Sequence, residues 1–473
     1  MWLLSLSLSY ITLTLCLVLT YKAVGYYWSQ PPHGQYARAV KKPANAPVRA
    51  HGWSSSHLPP SGDNVYDVVV VGGGPAGLAV GATLKNANVS YLIVEKRDVA
   101  GAKWTDHYAR LCLHTLRDVS HLPYLPFPTS WPQFVPREDL ARYLELYPAL
   151  MALNIRYNTS VGAVLPDSLT SDAKDDGGRY SVAIEGSGEV LRARHVVMAT
   201  GDNATPNVPR FAGMDSFAGR ILHSSEYQSG EEFRGQNVLV VGFGNSGSEI
   251  ALDLWERGAS VSAIIRSPLN VLSRDRTILL RPLFGLVRWL FFDRVELLDK
   301  IAPPARPRVL PSPASRGEVN VTVPHPEIGV FEALRRRHTP PNIDIGQWEL
   351  IENGEIPVFK ALHRFSPSSV SVSPSGNPED SHELPVDAVV LATGYQKSLT
   401  SLLPQTVMDA VTDEHHGIGC SGRESPIPGL WFIGYDDFLG RLFQIRLEAH
   451  AIADAIARTT PPPNPILPSH VAT

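Results

Sequence analysis

Acid is missing from the start of this chain. No Asp or Glu occurs before Asp63, while Lys22, Arg38, Lys41, Lys42 and Arg49 all lie in that stretch. Within it, WLLSLSLSYITLTLCLVLTY, Trp2 to Tyr21, carries no charge of either sign and is long enough to cross a bilayer as a helix. Cations confined to its C-terminal side would hold the following chain in the cytosol. A cleaved signal peptide is the competing reading, although the run lacks a basic n-region and offers only Ala23-Val24-Gly25 as a small-residue site. The expectation is a single-pass anchor over 1–22 and a cytosolic folded part, with the endoplasmic reticulum as a candidate membrane. Residues 23–62 hold Pro31, Pro32, Pro43, Pro47, Pro59 and Pro60 and read as an extended linker.

Cysteine is also scarce. Cys16, Cys112 and Cys420 stand singly, which excludes a disulfide framework, a CxxC dithiol and metal-ligand spacing, so no metal is expected. Nor is there a basic excess. With 42 Lys+Arg against 46 Asp+Glu, the net charge of -4 points away from nucleic acid as a partner. At 473 residues the chain exceeds what one hydrophobic core usually serves, so two domains are expected.

Glycine, by contrast, is placed in a pattern. YDVVVVGGGPAGLAVGATLKNANVSYLIVEK reads as strand, turn, helix and strand, with Gly72, Gly74 and Gly77 at the turn, Pro75 and Ala76 opening the helix, and Glu95 ending the second strand. Gly72 suits the tight turn, Gly74 the approach of a pyrophosphate and Gly77 close helix packing. Glu95 is placed to bind an adenosine ribose.

The pattern returns in NVLVVGFGNSGSEIALDLWERGASVSAIIRS, with Gly242, Gly244, Asn245, Ser246 and Gly247. Here the second strand ends in Arg266, a cation able to pair with a 2′-phosphate, so this site is expected to take NADPH; a solvated surface Arg is the other reading. Two nucleotide folds in one chain suggest a flavoprotein reduced by NADPH, and the absence of a dithiol leaves O2 as the common acceptor.

Between the two turns lies FAGRILHSSEY, with Phe217, Gly219, His223 and Tyr227 at fixed intervals. It resembles the identifying motif of flavin-containing monooxygenases. The likeness extends to ATG at Ala199 to Gly201, to DAVVLATGY with Ala392, Thr393 and Gly394, and to the GAKW segment ending at Trp104. YARLCLHTLRDVSHLPYLPFP from Tyr108 and IDIGQWELIENGEIPVF from Ile343 are most similar to the plant YUCCA-like branch.

The resemblance implies an NADPH- and O2-dependent enzyme in which reduced FAD forms a C4a-hydroperoxyflavin that oxygenates a small molecule at nitrogen, sulfur or carbon. A 2-oxo acid or a natural-product intermediate is the substrate class in view. It also implies that Trp104 borders the flavin, that Gly434 and Asp436 in PGLWFIGYDD meet FAD, and that His114 lies near the oxygen adduct, where animal members carry Asn. On residues alone, His114 could equally be a structural histidine, Trp104 a core filler and Asp436 a helix cap. His223 reads as a positioning residue linking the two domains.

Three alternatives stand beside this reading. A Baeyer-Villiger enzyme normally ends the motif in Trp followed by Pro or Asp, where Tyr227 and Gln228 stand here. The others are a membrane-bound flavin dehydrogenase or electron-transfer reductase, and a non-catalytic NADPH-binding protein.

The expected fold class is α/β, with two Rossmann-like domains on parallel sheets: an NADPH domain, 206–375, inserted into an FAD domain formed by 63–205 and 376–458, then a disordered tail, 459–473. ILLRPLFGLVRWLFFDRVELL from Ile278 is read as a buried lid or channel wall, or as an interfacial helix. Oligomeric state has no sequence signal.

Overall fold

The computed structural model describes residues 65–460 except 170–176, 204, 275–307, 312–319, 324–325, 331, 334–339, 397, 414–416 and 437–439. The apolar N-terminal run, the Pro-rich linker, the segment from Ile278 and the tail from 461 thus lie outside the described residues. Among the described residues no helix is long and apolar enough to cross a membrane.

The first unit begins with β1 (Val65–Val71), buried on both faces as a central parallel strand must be. Helix α1 (Pro75–Asn86) and β2 (Tyr91–Val94) complete a βαβ unit whose parallel register pairs Val71 with Val94. There follow α2 (Ala102–Thr105), α3 (Arg137–Leu150), β3 (Ile155–Arg156), β4 (Val161–Pro166), β5 (Tyr180–Ile184) and β6 (Val190–Met198). The strand order is β3-β2-β1-β6-β5-β4. It is parallel from β3 to β6 and antiparallel across β4, β5 and β6, so the first sheet carries an antiparallel flap that the expectation of parallel sheets did not include.

The chain leaves through β7 (Thr205–Pro206) and builds a second sheet from β8 (Arg220–His223), β9 (Asn237–Val241), α4 (Asn245–Glu256) and β10 (Ser260–Ile264). Two short pairs follow, β11 (Val271–Ser273) with β14 (Asn342–Asp344), and β12 (Arg308–Pro311) with β13 (Asn320–Val323). Then come α5 (Gln347–Glu352), β15 (Val358–Phe359), the antiparallel set β16 (Ala361–Ser366), β17 (Ser369–Ser373) and β18 (His382–Pro385), and β19 (Ala388–Leu391). The second sheet has the order β15-β10-β9-β19-β8 and is parallel throughout.

The boundary drawn at 375/376 is therefore too early. β19 pairs with β9 and β8, and the chain returns to the first unit only after it. AVVL is buried on both faces in either setting, so nothing local in the sequence says which sheet it joins. The return runs through β20 (Tyr395–Gln396), which pairs antiparallel with β7. It continues through α6 (Gln405–Val411) to β21 (Leu430–Phe432), which extends the first sheet beside β6, and to α7 (Arg441–Thr459). α7 packs on α1, where the Thr83 hydroxyl donates to Ala449 O at 2.9 Å.

Candidate functional site: two glycine turns and a hinge

The first turn is locked from below and open above. Gly72 has φ +111°, and a Cβ on it would meet Ala199 O at 2.7 Å; a Cβ on Gly77 would meet Gly72 O at 1.8 Å. A Cβ on Gly74 would meet nothing within 4 Å. Gly74 is the N-cap of α1, without a side-chain cap, and Pro75 occupies the position where a missing N–H costs nothing. The remaining N–H groups of the first helical turn thus border open space, a cradle of the shape and polarity a pyrophosphate needs. Glu95 sits at its edge, nearly buried, and its carboxylate accepts from Gly73 N at 2.6 Å and Arg97 N at 2.9 Å. These residues fit an FAD adenosine diphosphate.

Ala76 and Gly434 meet here: Gly434 has φ +84°, and a Cβ on it would lie 3.2 Å from that of Ala76. Asp436 follows, half-buried. Helix α7 starts further along the chain at Arg441, behind an N-cap Gly440 that has no side chain to cap it. Gly101 N donates to Gly73 O at 3.0 Å, which brings α2 and Trp104 alongside the turn. Trp104 packs partly against the core and meets the His107 ring edge-on at 5.6 Å. Burial, with Lys103 nearby, pushes His107 down to about 4.

The second turn repeats the design. Gly242 has φ +95° and lies against Ala392 O, Gly247 lies against Gly242 O, and a Cβ on Gly244 would meet nothing within 4 Å. Ser246 stands in the first turn of α4. Asn245 differs from expectation: its side chain donates to Pro341 O at 3.0 Å and accepts from Ile343 N at 2.8 Å. The amide is spent on holding β14, leaving only the Asn245 backbone for a nucleotide.

Arg266 is exposed just past β10. The two βαβ units align through the first glycine of each, since Gly72 N bonds Val94 O and Gly242 N bonds Ile264 O. By that register Ile265 matches Glu95, and Arg266 stands one residue further along, still at the strand end where a 2′-phosphate would lie.

The FAGRILHSSEY residues prove to be joints. A Cβ on Gly219 would meet Asp387 O at 2.3 Å, and the Phe217 ring meets Phe365 edge-on at 5.4 Å. His223 Nδ1 accepts from Ser225 N at 3.1 Å, so Nε2 carries the proton and donates to Gly394 O at 2.9 Å. Thr393 Oγ1 donates to Asn207 O at 2.6 Å, and Asn207 N donates to Gly394 O at 2.9 Å. The motif thereby ties β8 to the paired linkers β7 and β20. Tyr227 OH donates to Asp253 Oδ2 at 2.7 Å, and Gly230 N donates to the same oxygen at 2.8 Å.

His114 meets a residue the sequence did not single out. Its Nε2 lies 3.0 Å from Glu249 Oε1 in α4, and Tyr108 OH donates to Glu249 Oε2 at 2.6 Å. Glu249 is 2% exposed. Glu249 and Asp253 stand one turn apart on the buried part of α4, and each takes a tyrosine hydroxyl. Two acids at i, i+4 inside the otherwise apolar SEIALDL helix were the available signal. Asn342 was also missed: it accepts from Trp348 Nε1 at 2.8 Å and donates to Phe243 O at 3.1 Å behind the second turn. Among the described residues, no cluster of three or more His, Cys, Asp or Glu could hold a metal ion.

Residues 69–285 match the family described as pyridine nucleotide-disulphide oxidoreductase. Over 78% of this chain and 84% of the relative, it is 35% identical to indole-3-pyruvate monooxygenase YUCCA1 of Oryza sativa subsp. japonica. Over 82% and 87% it is 32% identical to probable indole-3-pyruvate monooxygenase YUCCA7 of Arabidopsis thaliana. The fold is similar to that of a flavin-containing monooxygenase from Stenotrophomonas maltophilia, with a TM-score of 0.58 and 23% identity over 84% of this chain and 99% of that one. Cyclohexanone monooxygenase with bound epsilon-caprolactone shares it too, with a TM-score of 0.56 and 17% identity over 84% and 88%. With two open glycine turns for FAD and NADPH joined through the FAGRILHSSEY hinge, the chain belongs to the YUCCA-like flavin monooxygenases.

Proposed function

We propose that this enzyme oxygenates a 2-oxo acid of the arylpyruvate class, to which indole-3-pyruvate belongs, using NADPH as reductant and O2 as oxygen source. The observation that carries the reading is the pair of glycine turns, each open only at its middle glycine, in a chain whose relatives are named for that substrate. FAD supplies the electron relay and the activation of oxygen. The protein's own part is placement: Gly74 and α1 receive the pyrophosphate, Glu95 and Gly73 frame the ribose, Gly434 and Asp436 close over the turn, and Gly244, Ser246 and Arg266 hold NADPH. Trp104 and His114 shield and contact the reacting region, which must exclude water to limit wasteful release of H2O2.

Purified FAD-loaded protein, NADPH and 18O2 should be supplied with 2-oxo acids, amines, thioethers and cyclic ketones in parallel. The expected result is one 18O atom in the carboxylic acid left when the 2-oxo acid loses CO2, with the other 18O in water, per NADPH consumed. Label entering a ketone as a ring-expanded lactone would establish the Baeyer-Villiger alternative. Rapid reoxidation by a quinone with no labelled product would overturn oxygenation altogether. Arg266→Ala should raise the KM for NADPH by about tenfold and leave that for NADH unchanged, and equal effects would remove the 2′-phosphate role. The uncharged run Trp2 to Tyr21 supports membrane attachment with the catalytic part in the cytosol, and resistance of the full chain to carbonate extraction tests it.

A further inference from the structure

Glu249 belongs to the helix of the NADPH unit, yet both of its oxygens are engaged by the FAD unit. Tyr108 OH donates to Oε2 at 2.6 Å, and His114 Nε2 lies 3.0 Å from Oε1. The pair is an ion contact without hydrogen-bond geometry, but a carboxylate oxygen this close repels a ring lone pair, which draws the proton of His114 to Nε2. That leaves Nδ1 as the free nitrogen of the ring, and Nδ1 is buried with no hydrogen-bond partner. A buried polar nitrogen without a partner is costly, and nothing among the described residues satisfies it.

We propose that Glu249 is a positioning residue for the oxygenation site: it fixes the proton of His114 on Nε2, and thereby aims Nδ1 at a group the protein binds rather than contains, flavin or substrate. What Nδ1 faces rests on the monooxygenase reading; the placement of the proton does not. Tyr108 keeps the carboxylate from turning away, and its own ionisation is pushed far up by burial and by Glu249 beside it. Because the contact spans the two units, the ring is correctly set only when the NADPH unit is seated.

Glu249→Gln tests this with little change of shape. The amide oxygen can still accept from Tyr108, but its NH2 then faces His114 Nε2, which must become the acceptor, and the proton moves to Nδ1. In FAD-loaded protein labelled with 15N-histidine, the His114 ring signals, assigned by their loss in His114→Asn, should show a proton on Nε2 in the wild type and on Nδ1 in Glu249→Gln. Melting temperature and the KM for NADPH should hold, while kcat for oxygenated product falls at least tenfold and H2O2 release rises. Glu249→Asp, which restores a carboxylate, should recover the Nε2 pattern. An unchanged His114 pattern in Glu249→Gln overturns the inference even if the enzyme oxygenates 2-oxo acids. A reversed pattern with unaltered turnover and H2O2 release overturns the positioning role. If the wild type yields no oxygenated product, the functional reading fails while the reversed pattern still establishes the proton placement.

Discussion

A methyl group added at Gly77 would lie 1.8 Å from Gly72 O, whereas one added at Gly74 would meet nothing within 4 Å. The two glycines, three residues apart, therefore serve different ends. Gly77→Ala must push the helix off the strand and should cost about 3 kcal/mol or more of stability with or without FAD. Gly74→Ala should melt within about 1 kcal/mol of wild type when FAD-free, yet weaken FAD binding by at least about tenfold. Thermal melting with and without FAD, together with flavin titration, separates them. Equal losses at both positions would mean that the space over Gly74 is not where the phosphate sits. This contrast was legible in the sequence, since GxGxxG after a strand assigns a reason to each glycine. Asn245 was not: its letter suits a nucleotide contact, and only its bonds to Pro341 and Ile343 show the side chain already committed.

Among elements, α7 carries a buried acid close to the first turn. Glu448 Oε2 accepts from Gly434 N at 2.9 Å and from Ser421 Oγ at 3.0 Å, and burial raises its pKa from 4.5 to about 7, with Asp436 adding to the rise. A raised folded-state value means the fold favours the protonated form. Its contribution to stability is fully present below pH 4.5 and is lost as pH rises through 7. The swing is about 3 kcal/mol. Glu448→Gln should melt higher than wild type at pH 8 and show no gain at pH 4.5. A gain independent of pH would refute the assignment.

The hinge is the second element with a consequence. His223 has both ring nitrogens satisfied by the chain, Nδ1 from Ser225 N and Nε2 to Gly394 O, and burial lowers its pKa, so it has no free nitrogen for acid-base work. His223→Ala should leave reduction of FAD by NADPH intact and increase the share of electrons lost as H2O2. Stopped-flow reduction and a peroxide assay check this; if no extra peroxide appears, the hinge does not couple the two units.

Over the whole molecule, the paired βαβ units were legible because hydrophobic runs, glycine spacing and strand-end charges repeat on a local scale. The pairing of distant strands was not. β19 was placed with the wrong sheet because Ala388–Leu391 is apolar on both faces, and that pattern suits any central parallel strand. The Tyr108, His114 and Glu249 contact was hidden for a related reason: Glu249 is more than a hundred residues from the other two and meets them only where the units touch.

Each glycine turn is backed by the carbonyl of an ATG alanine, Ala199 against Gly72 and Ala392 against Gly242, and each ATG leads within a few residues into the paired linkers β7 and β20. A nucleotide that stiffens one turn therefore stiffens the exit of its own sheet, and through the shared linkers the exit of the other. Thermodynamic reciprocity then makes the two ligands mutual effectors. NADP+ should tighten FAD by some factor, and FAD should tighten NADP+ by the same factor, which titrating each ligand in the presence and absence of the other would measure.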